Sequence, residues 1–249
     1  MNAAFFLADT NISATARMTM TLADALVGLG WRVRIVTTGM PVTWRSSRAE
    51  WVYVDERREF DEETIEASEV LALGPIVEDE LYRARIPREN DPLRVLFCGA
   101  WQNEAHHTAD GYGAVAHARW FHQTFELVRA SPWAPSREEP LEAVQEFHVA
   151  LTTVEMTRLM HSCDVLLAPA PSISLTTAEA LASGLACVGT APLGDAALHA
   201  PPDNAIELGE RLIELLGDPS LRNRLRVRGR EVAQEWRVEK AVEKFVAGR

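Results

Sequence analysis

"DVLLAPAPSISLTTAEALASGLACVGT", residues 164–190, sets two short apolar runs on either side of a Pro- and Ser-rich loop and a helix-like segment. The runs "DVLLAP" and "LACVGT" are continuous rather than alternating, which reads as strands buried on both faces. "TTAEALASG" is rich in good helix formers and stops on Gly184, in the usual C′ role. Strand, helix and strand in this order make a βαβ unit, the building block of parallel sheets. Thr176-Thr177-Ala178-Glu179 reads as a capping box, with Thr176 as N-cap and Glu179 at N3. A helix N-terminus at the carboxyl end of a strand offers spare N–H groups and a positive dipole end to a phosphate. Ser172, Ser174, Thr176 and Thr177 add hydroxyl donors. Spacing alone leaves two readings of Glu179 open: a carboxylate that only satisfies its own helix, or a ligand.

The same alternation runs through the chain. "AAFFLAD" (3–9) reads as a buried strand. Residues 13–30 follow as a helix with Met18, Leu22, Leu26 and Leu29 on one face, capped by Ser13 or Thr15 and ended by Gly30. "WRVRIVTTG" (31–39), "WVYVD" (51–55) and "EVLALG" (69–74) are further strands, and Pro75 opens a short helix. "IPRENDP" (86–92) is the best linker. The pattern restarts with "LRVLFCG" (93–99), a helix over 110–123, the strands "FELVRA" and "FHVAL", and the helix "TTVEMTRLMHSC" capped by Thr152 or Thr153. Beyond 203 come two helices split at Gly217-Asp218-Pro219 and a final helix over about 237–247. The expected fold is α/β, two Rossmann-like parallel-sheet domains over residues 1–88 and 89–249, with the last helix packing back on the first. Ligands of such sheets bind outside the carboxyl ends of the strands, here in a cleft between the two sheets.

Bulk properties narrow the function. The 249 residues carry a formal charge of −11, with 47% hydrophobic and 24% charged residues. Such an acidic chain is not a generic nucleic-acid binder. Cys98, Cys163 and Cys187 lie in or beside apolar runs, which reads as buried free thiols of a reducing, cytoplasmic compartment. No stretch approaches about 18 apolar residues, so no membrane span is expected, and "MNAAFFLADTN" lacks the basic start of a secretion signal.

Residues 147–249 carry a resemblance. "MHSCDVLLAP", "AEALASGLACVGT" and "DPSLRNRLRVRGREVAQEW" are similar, in this order, to three segments of the retaining, nucleotide-sugar-dependent glycosyltransferases of the GT-B fold, family 4. "ATARMTMTLADALVGLGWRVRIVT" (14–37) resembles their first helix and second strand. "APAPSISLTTAEALASG" looks most like the rhamnosyltransferases of bacterial surface-glycan synthesis. The resemblance implies a hexosyltransferase-type enzyme of polysaccharide synthesis that moves a sugar, with retention, from a nucleoside-diphosphate-sugar donor to a glycan or lipid-linked acceptor. It implies no metal and no resident cofactor. The family's second glutamate, on the ribose hydroxyls, is matched by Glu179. Gly99 closes the first strand of the donor domain, and His106 stands where a phosphate-neutralising group is sought.

The chain departs from that family in four places. The family's first glutamate falls at Pro171. The family's Arg or Lys after the first strand of the donor domain is missing from "CGAWQNEAHHTADGYG" (98–113), which leaves His106 and His107 as the only cations there. "DTNISATAR" (9–17) replaces a glycine-rich loop, with Asn11, Ser13 and Arg17 as alternative donors. The first domain is short, which points to a small acceptor, a partner protein or lost catalysis; a homo-oligomer is a further partner expectation. "WRSSRAEW" (44–51) reads as an ordinary loop or as a lipid-headgroup contact at the inner face of the membrane. The rival reading is a catalytically degenerate GT-B-like protein that binds a nucleotide or glycan, or scaffolds an enzyme. His106, His107 and Asp110 match no strong metal signature.

Overall fold

The computed structural model describes residues 1–7, 14–37, 42, 45–53, 75–77, 89–121 and 123–247. The predicted strand at 69–74 and the candidates Asn11 and Ser13 lie outside the described residues, as does Trp44. The chain forms two compact units, Met1–Glu78 with Trp236–Arg249, and Asp79–Glu235.

The first unit holds β1 (Asn2–Leu7), α1 (Ala14–Gly28), β2 (Arg32–Thr37) and β3 (Glu50–Tyr53). The strands pair in parallel in the order β1-β2-β3. The buried stripe of α1 is Ala16, Met20 and Ala23 with Leu22 and Leu26. Leu29, expected on that stripe, lies past the helix end at Gly28 and is 62% exposed. The chain's last helix, α7 (Val238–Ala247), belongs to this unit and lays Ala241, Val242 and Phe245 on its core. Val77 pairs with Arg237 as an isolated parallel bridge, and its N–H donates to the Trp236 carbonyl at 2.8 Å. Residues 75–77 are therefore bridged at Val77 rather than helical, and the rest of the helix expected after Pro75 lies outside the described residues. The partner that fixes Val77 comes from the far end of the sequence.

The second unit is a six-stranded, all-parallel sheet of β4 (Leu93–Cys98), β5 (Phe125–Ser131), β6 (Glu146–Val149), β7 (Val165–Ala168), β8 (Ala186–Gly189) and β9 (Ala197–His199). Their order is β6-β5-β4-β7-β8-β9. The helices are α2 (Thr108–Trp120), α3 (Thr153–His161), α4 (Leu175–Ser183), α5 (Ala205–Gly217) and α6 (Pro219–Ala233). Val95, Phe97, Leu127, Val165, Leu167 and Val188 pack against Tyr112, Val115, Leu208 and Leu212 of α2 and α5. Each such side chain contributes about 1.5–3 kcal/mol when fully buried. The alternate strand residues Leu96, Leu166 and Cys187 are buried too, which explains the continuous apolar runs. The connection from β5 to β6 contains a 3₁₀ turn over Leu141–Ala143. The strand β9 escaped the sequence reading, because three residues with one aliphatic side chain carry no periodicity.

A polar cluster locks the start of this unit. Asp164, fully buried at the entry to β7, accepts from Asn90 Nδ2 at 2.8 Å and from the Arg94 N–H at 2.9 Å. Glu89 pairs with Arg222 and Arg226 of α6, each at 2.8–2.9 Å. The hydrogen bonds from Arg222 hold the Glu89 carboxyl below its ordinary pKa.

Candidate functional site

The strand order defines the site. From β4 the chain proceeds through α2 to β5 on one side, and from β7 through α4 to β8 on the other. Two adjacent strands whose connections diverge leave a crevice at their carboxyl ends, the switch point where ligands of doubly wound sheets bind. Its two walls are the loop 99–107 after β4 and the loop 169–174 after β7.

The β4 wall begins with Gly99 at φ 134°, a backbone region that only glycine enters freely. Its N–H donates to the Ala130 carbonyl of the neighbouring strand at 3.1 Å. The chain then folds back through a 3₁₀ turn, Glu104–His106, capped by Asn103 Oδ1 on the Ala105 N–H at 3.1 Å. That return brings the His106 ring onto Gly99: a Cβ there would stand 3.1 Å from His106 Cβ. The Ala100 N–H donates to His106 Nδ1 at 2.7 Å. Burial lowers the His106 pKa, and the charge of Arg129 lowers it further. With Nδ1 occupied as an acceptor, the ring proton sits on Nε2. The fold-back that Gly99 allows desolvates the ring, which disfavours the cation that the sequence reading held open for it.

The β7 wall is pinned at its base, where Thr190 Oγ1 donates to the Pro169 carbonyl at 2.6 Å. It leads into α4, whose N-cap is Ser174 and not Thr176. Ser174 Oγ accepts the Thr177 N–H at 3.0 Å and lies 2.9 Å from Thr177 Oγ1. The expected capping box at Thr176–Glu179 does not form, since Thr177 takes the N3 position. Starting the helix two residues earlier puts Leu175, Ala178 and Leu181 on one buried face. Thr176 stands in the first turn, Ser172 is exposed on the loop, and Glu179 is in the second turn at 2% exposure. Burial pushes the Cys98 thiol, at the end of β4, up to about 12; Arg129 opposes the shift and the negative charge of Glu179 adds to it. Gly99, His106, Ser172, Ser174, Thr176, Thr177 and Glu179 all belong to this one edge. Arg17 belongs to α1 of the first unit.

The structure adds residues that the sequence reading missed. Arg129 of β5 is fully buried. Its Nε donates to Glu139 Oε1 at 3.0 Å and its Nη1 to the Ala130 carbonyl at 2.8 Å, with the guanidinium 4.5 Å above the Phe97 ring. Tyr112 Oη donates to the same Glu139 oxygen at 2.9 Å. An arginine inside the apolar run "FELVRAS" was the available signal. His107 Nδ1 lies 3.3 Å from Asp110 Oδ2 and 3.2 Å from Asp203 Oδ1. These three groups lie close enough together to ligate one divalent ion, and Asp203 replaces the His106 of the sequence grouping. The three cysteines are free thiols, with Cys163 and Cys187 also pushed up to about 12 by burial.

No family model matches the chain, and no curated protein matches it in sequence. Solved structures do match. WaaG, a glycosyltransferase involved in lipopolysaccharide biosynthesis, aligns at a TM-score of 0.70 and 16% identity over 97% of this chain and 98% of that one. A glycosyltransferase from Rickettsia africae aligns at 0.67 and 9% identity over 99% and 97%. TarM from S. aureus, solved with fondaparinux, α-GlcNAc-glycerol and UDP, aligns at 0.58 and 10% identity over 87% of this chain and 50% of that one. The likeness is one of fold: an α/β chain of parallel sheets of the GT-B kind.

Proposed function

We propose that the chain is a glycosyltransferase that moves a sugar from a nucleoside-diphosphate-sugar donor to a glycan or lipid-linked acceptor, with retention, in bacterial surface-glycan synthesis. One observation carries the reading. The β4 loop with His106 and the α4 N-terminus with Glu179 meet at the switch point of a sheet whose fold neighbours are glycosyltransferases. The first-turn N–H groups of α4 and the hydroxyls of Ser172, Ser174 and Thr176 suit the diphosphate. Glu179 suits two vicinal ribose hydroxyls. Retention, the family 4 assignment and the likeness to rhamnosyltransferases rest on the motif resemblance of residues 147–249. The neighbour solved with UDP and a glycosylated glycerol supports this class of donor and acceptor.

In this role the protein's contribution is positioning and electrostatic help for the departing diphosphate. Loops 99–107 and 169–174 contain no Lys or Arg, so that help comes from neutral donors. The same observation supports the second reading, a degenerate binding module. The reaction as proposed uses no metal. Among the described residues no helix is long and apolar enough to cross a membrane, and contact with a lipid-linked acceptor would be peripheral.

A thermal-shift panel of UDP, dTDP, GDP and their sugars tests the binding. Release of nucleoside diphosphate from the stabilising donor, with and without chelator, tests the chemistry. Slow metal-free release is the expected result. Binding without release selects the module. Activity lost to chelator and restored by manganese removes the metal-free mechanism and directs attention to His107, Asp110 and Asp203.

A further inference from the structure

Trp133 and Val154, on the segments that follow β5 and β6, are 54% and 50% exposed, and Val149, the last residue of β6, is 44% exposed. Those segments share the carboxyl edge of the sheet with the crevice, on the β5 side of it. Trp133 is the only exposed aromatic residue at this edge among the described residues. The loop that bears it starts one strand from β4, a spacing of roughly 5 Å.

That loop is fastened unusually well. Pro132 and Pro135 restrict its backbone. The Trp133 N–H donates to Ser131 Oγ at 3.2 Å, and the Glu139 N–H to the Ser136 carbonyl at 3.2 Å. Its far end is held by Glu139, whose Oε1 takes both Arg129 Nε and Tyr112 Oη in the interior. Burying an ion pair brings little net stability. What this one does is fix the far end of the loop that carries Trp133, which is left 54% exposed.

We propose that Trp133 is the stacking platform for the nucleobase of the donor, on a loop that Arg129, Glu139 and Tyr112 hold rigid beside the crevice. The inference rests on the donor reading above and extends it to the base. A nucleoside diphosphate anchored by its phosphates at the β4–β7 crevice is several strand spacings long, so its base must lie over a neighbouring loop. On the β5 side it meets an exposed aromatic face with aliphatic neighbours. The loop after β8, on the other side, is mostly buried from Thr190 to Ala197 and shows no exposed aromatic residue. Stacking requires a π-face and no particular hydrogen-bond pattern, so the platform would be tolerant of which base it takes.

The test compares wild type with Trp133→Ala and Trp133→Phe, by calorimetry with UDP, dTDP, GDP and ADP and with inorganic pyrophosphate. Trp133→Ala should weaken the best nucleoside diphosphate by about ten-fold or more and leave pyrophosphate unchanged, and Trp133→Phe should stay within about three-fold of wild type. Nucleotide should quench tryptophan emission in wild type, and the quench should shrink in Trp133→Phe while binding persists. Equal nucleotide affinity in wild type and Trp133→Ala overturns the platform and leaves the donor reading standing. Lost turnover with unchanged nucleotide affinity assigns Trp133 to the acceptor and also overturns it. Wild type that binds none of the four nucleotides removes both readings.

Discussion

Glutamine in place of Glu179 keeps the shape of the side chain and removes its charge. Ser174 caps α4, so the substitution leaves the helix start untouched and isolates the carboxylate. A hydrogen bond to a charged acceptor contributes about 1.5–3 kcal/mol and one to a neutral acceptor about 1 kcal/mol. The difference, roughly 0.5–2 kcal/mol for each ribose hydroxyl, is a two- to thirty-fold loss of nucleotide affinity per contact. With both vicinal hydroxyls engaged, a loss on the order of a hundred-fold is within range. Calorimetric titration of the best nucleoside diphosphate and its 2′-deoxy form into both proteins reads this directly. Wild type should prefer the ribo form, and Glu179→Gln should shrink that preference. A natural dTDP-linked donor replaces the comparison with the 3′-deoxy form. Denaturation of both proteins supplies the control, since the affinity loss must exceed any loss of stability. If the variant binds every nucleotide as wild type does, Glu179 is a packing residue and the donor site has been placed on the wrong carboxylate.

Gly99→Ala forces φ 134° on an L-residue and drives a methyl group onto His106. Strain of about 1–3 kcal/mol and loss of the Ala100–His106 bond, about 1 kcal/mol, should lower urea stability by roughly 2–4 kcal/mol; an unchanged midpoint contradicts the fold-back. His106 has a lowered native pKa, so at acid pH the unfolded chain takes up its proton before the native one. Its contribution should therefore be intact above about pH 6.5 and be lost as pH falls towards the lowered native value, and His106→Gln should flatten that part of the stability profile. Arg129→Met should raise the His106 pKa seen by NMR, because Arg129 is one of the causes that lower it. Arg222→Ala takes two donors from Glu89, leaving it Arg226, and removes the donor to the Leu215 and Leu216 carbonyls. It should cost about 3 kcal/mol, the low end for a broken buried pair because Glu89 is 32% exposed; a loss under 1 kcal/mol in chemical denaturation counts against the latch.

The parallel architecture was legible because strands buried on both faces leave continuous apolar runs, and β4, β5, β7 and β8 are such runs. What escaped were features set by partners distant in sequence. Val77 is extended because Arg237 lies beside it, and nothing near Pro75 announces that. "SLTTAE" offers two cap registers, Ser174 with Thr177 and Thr176 with Glu179. Burial of Leu175 goes with the first, and only a packed core supplies that reason. His106 stood as a possible cation because no Lys or Arg occurs in 98–113. The lowering of its pKa comes from burial and from Arg129, a residue of the next strand. The loop 99–107 and Glu179 could be set on two βα connections from sequence order, whereas Arg129, Glu139 and Asp203 enter the picture only through tertiary pairing.

The electrostatic balance of the crevice bears on the choice between enzyme and binding module. Arg129 acts on both His106 and Cys98, yet its charge is matched by Glu139 at 3.0 Å. It lowers the His106 pKa beside the larger effect of burial, but the pair adds little net charge against a phosphate. A neutral donor in place of a cation forgoes about 1–2 kcal/mol per contact on a developing anion. At 1.36 kcal/mol per decade, two such replacements slow a transfer by about 30- to 1,000-fold without abolishing it. On the proposed donor reading, ground-state binding would lose less, since Glu179 and Trp133 would hold the ribose and the base without that charge. Such a site would bind its nucleotide well and turn it over slowly. Glu179 and Trp133 should therefore govern affinity, while Gly99 and His106 should govern the rate.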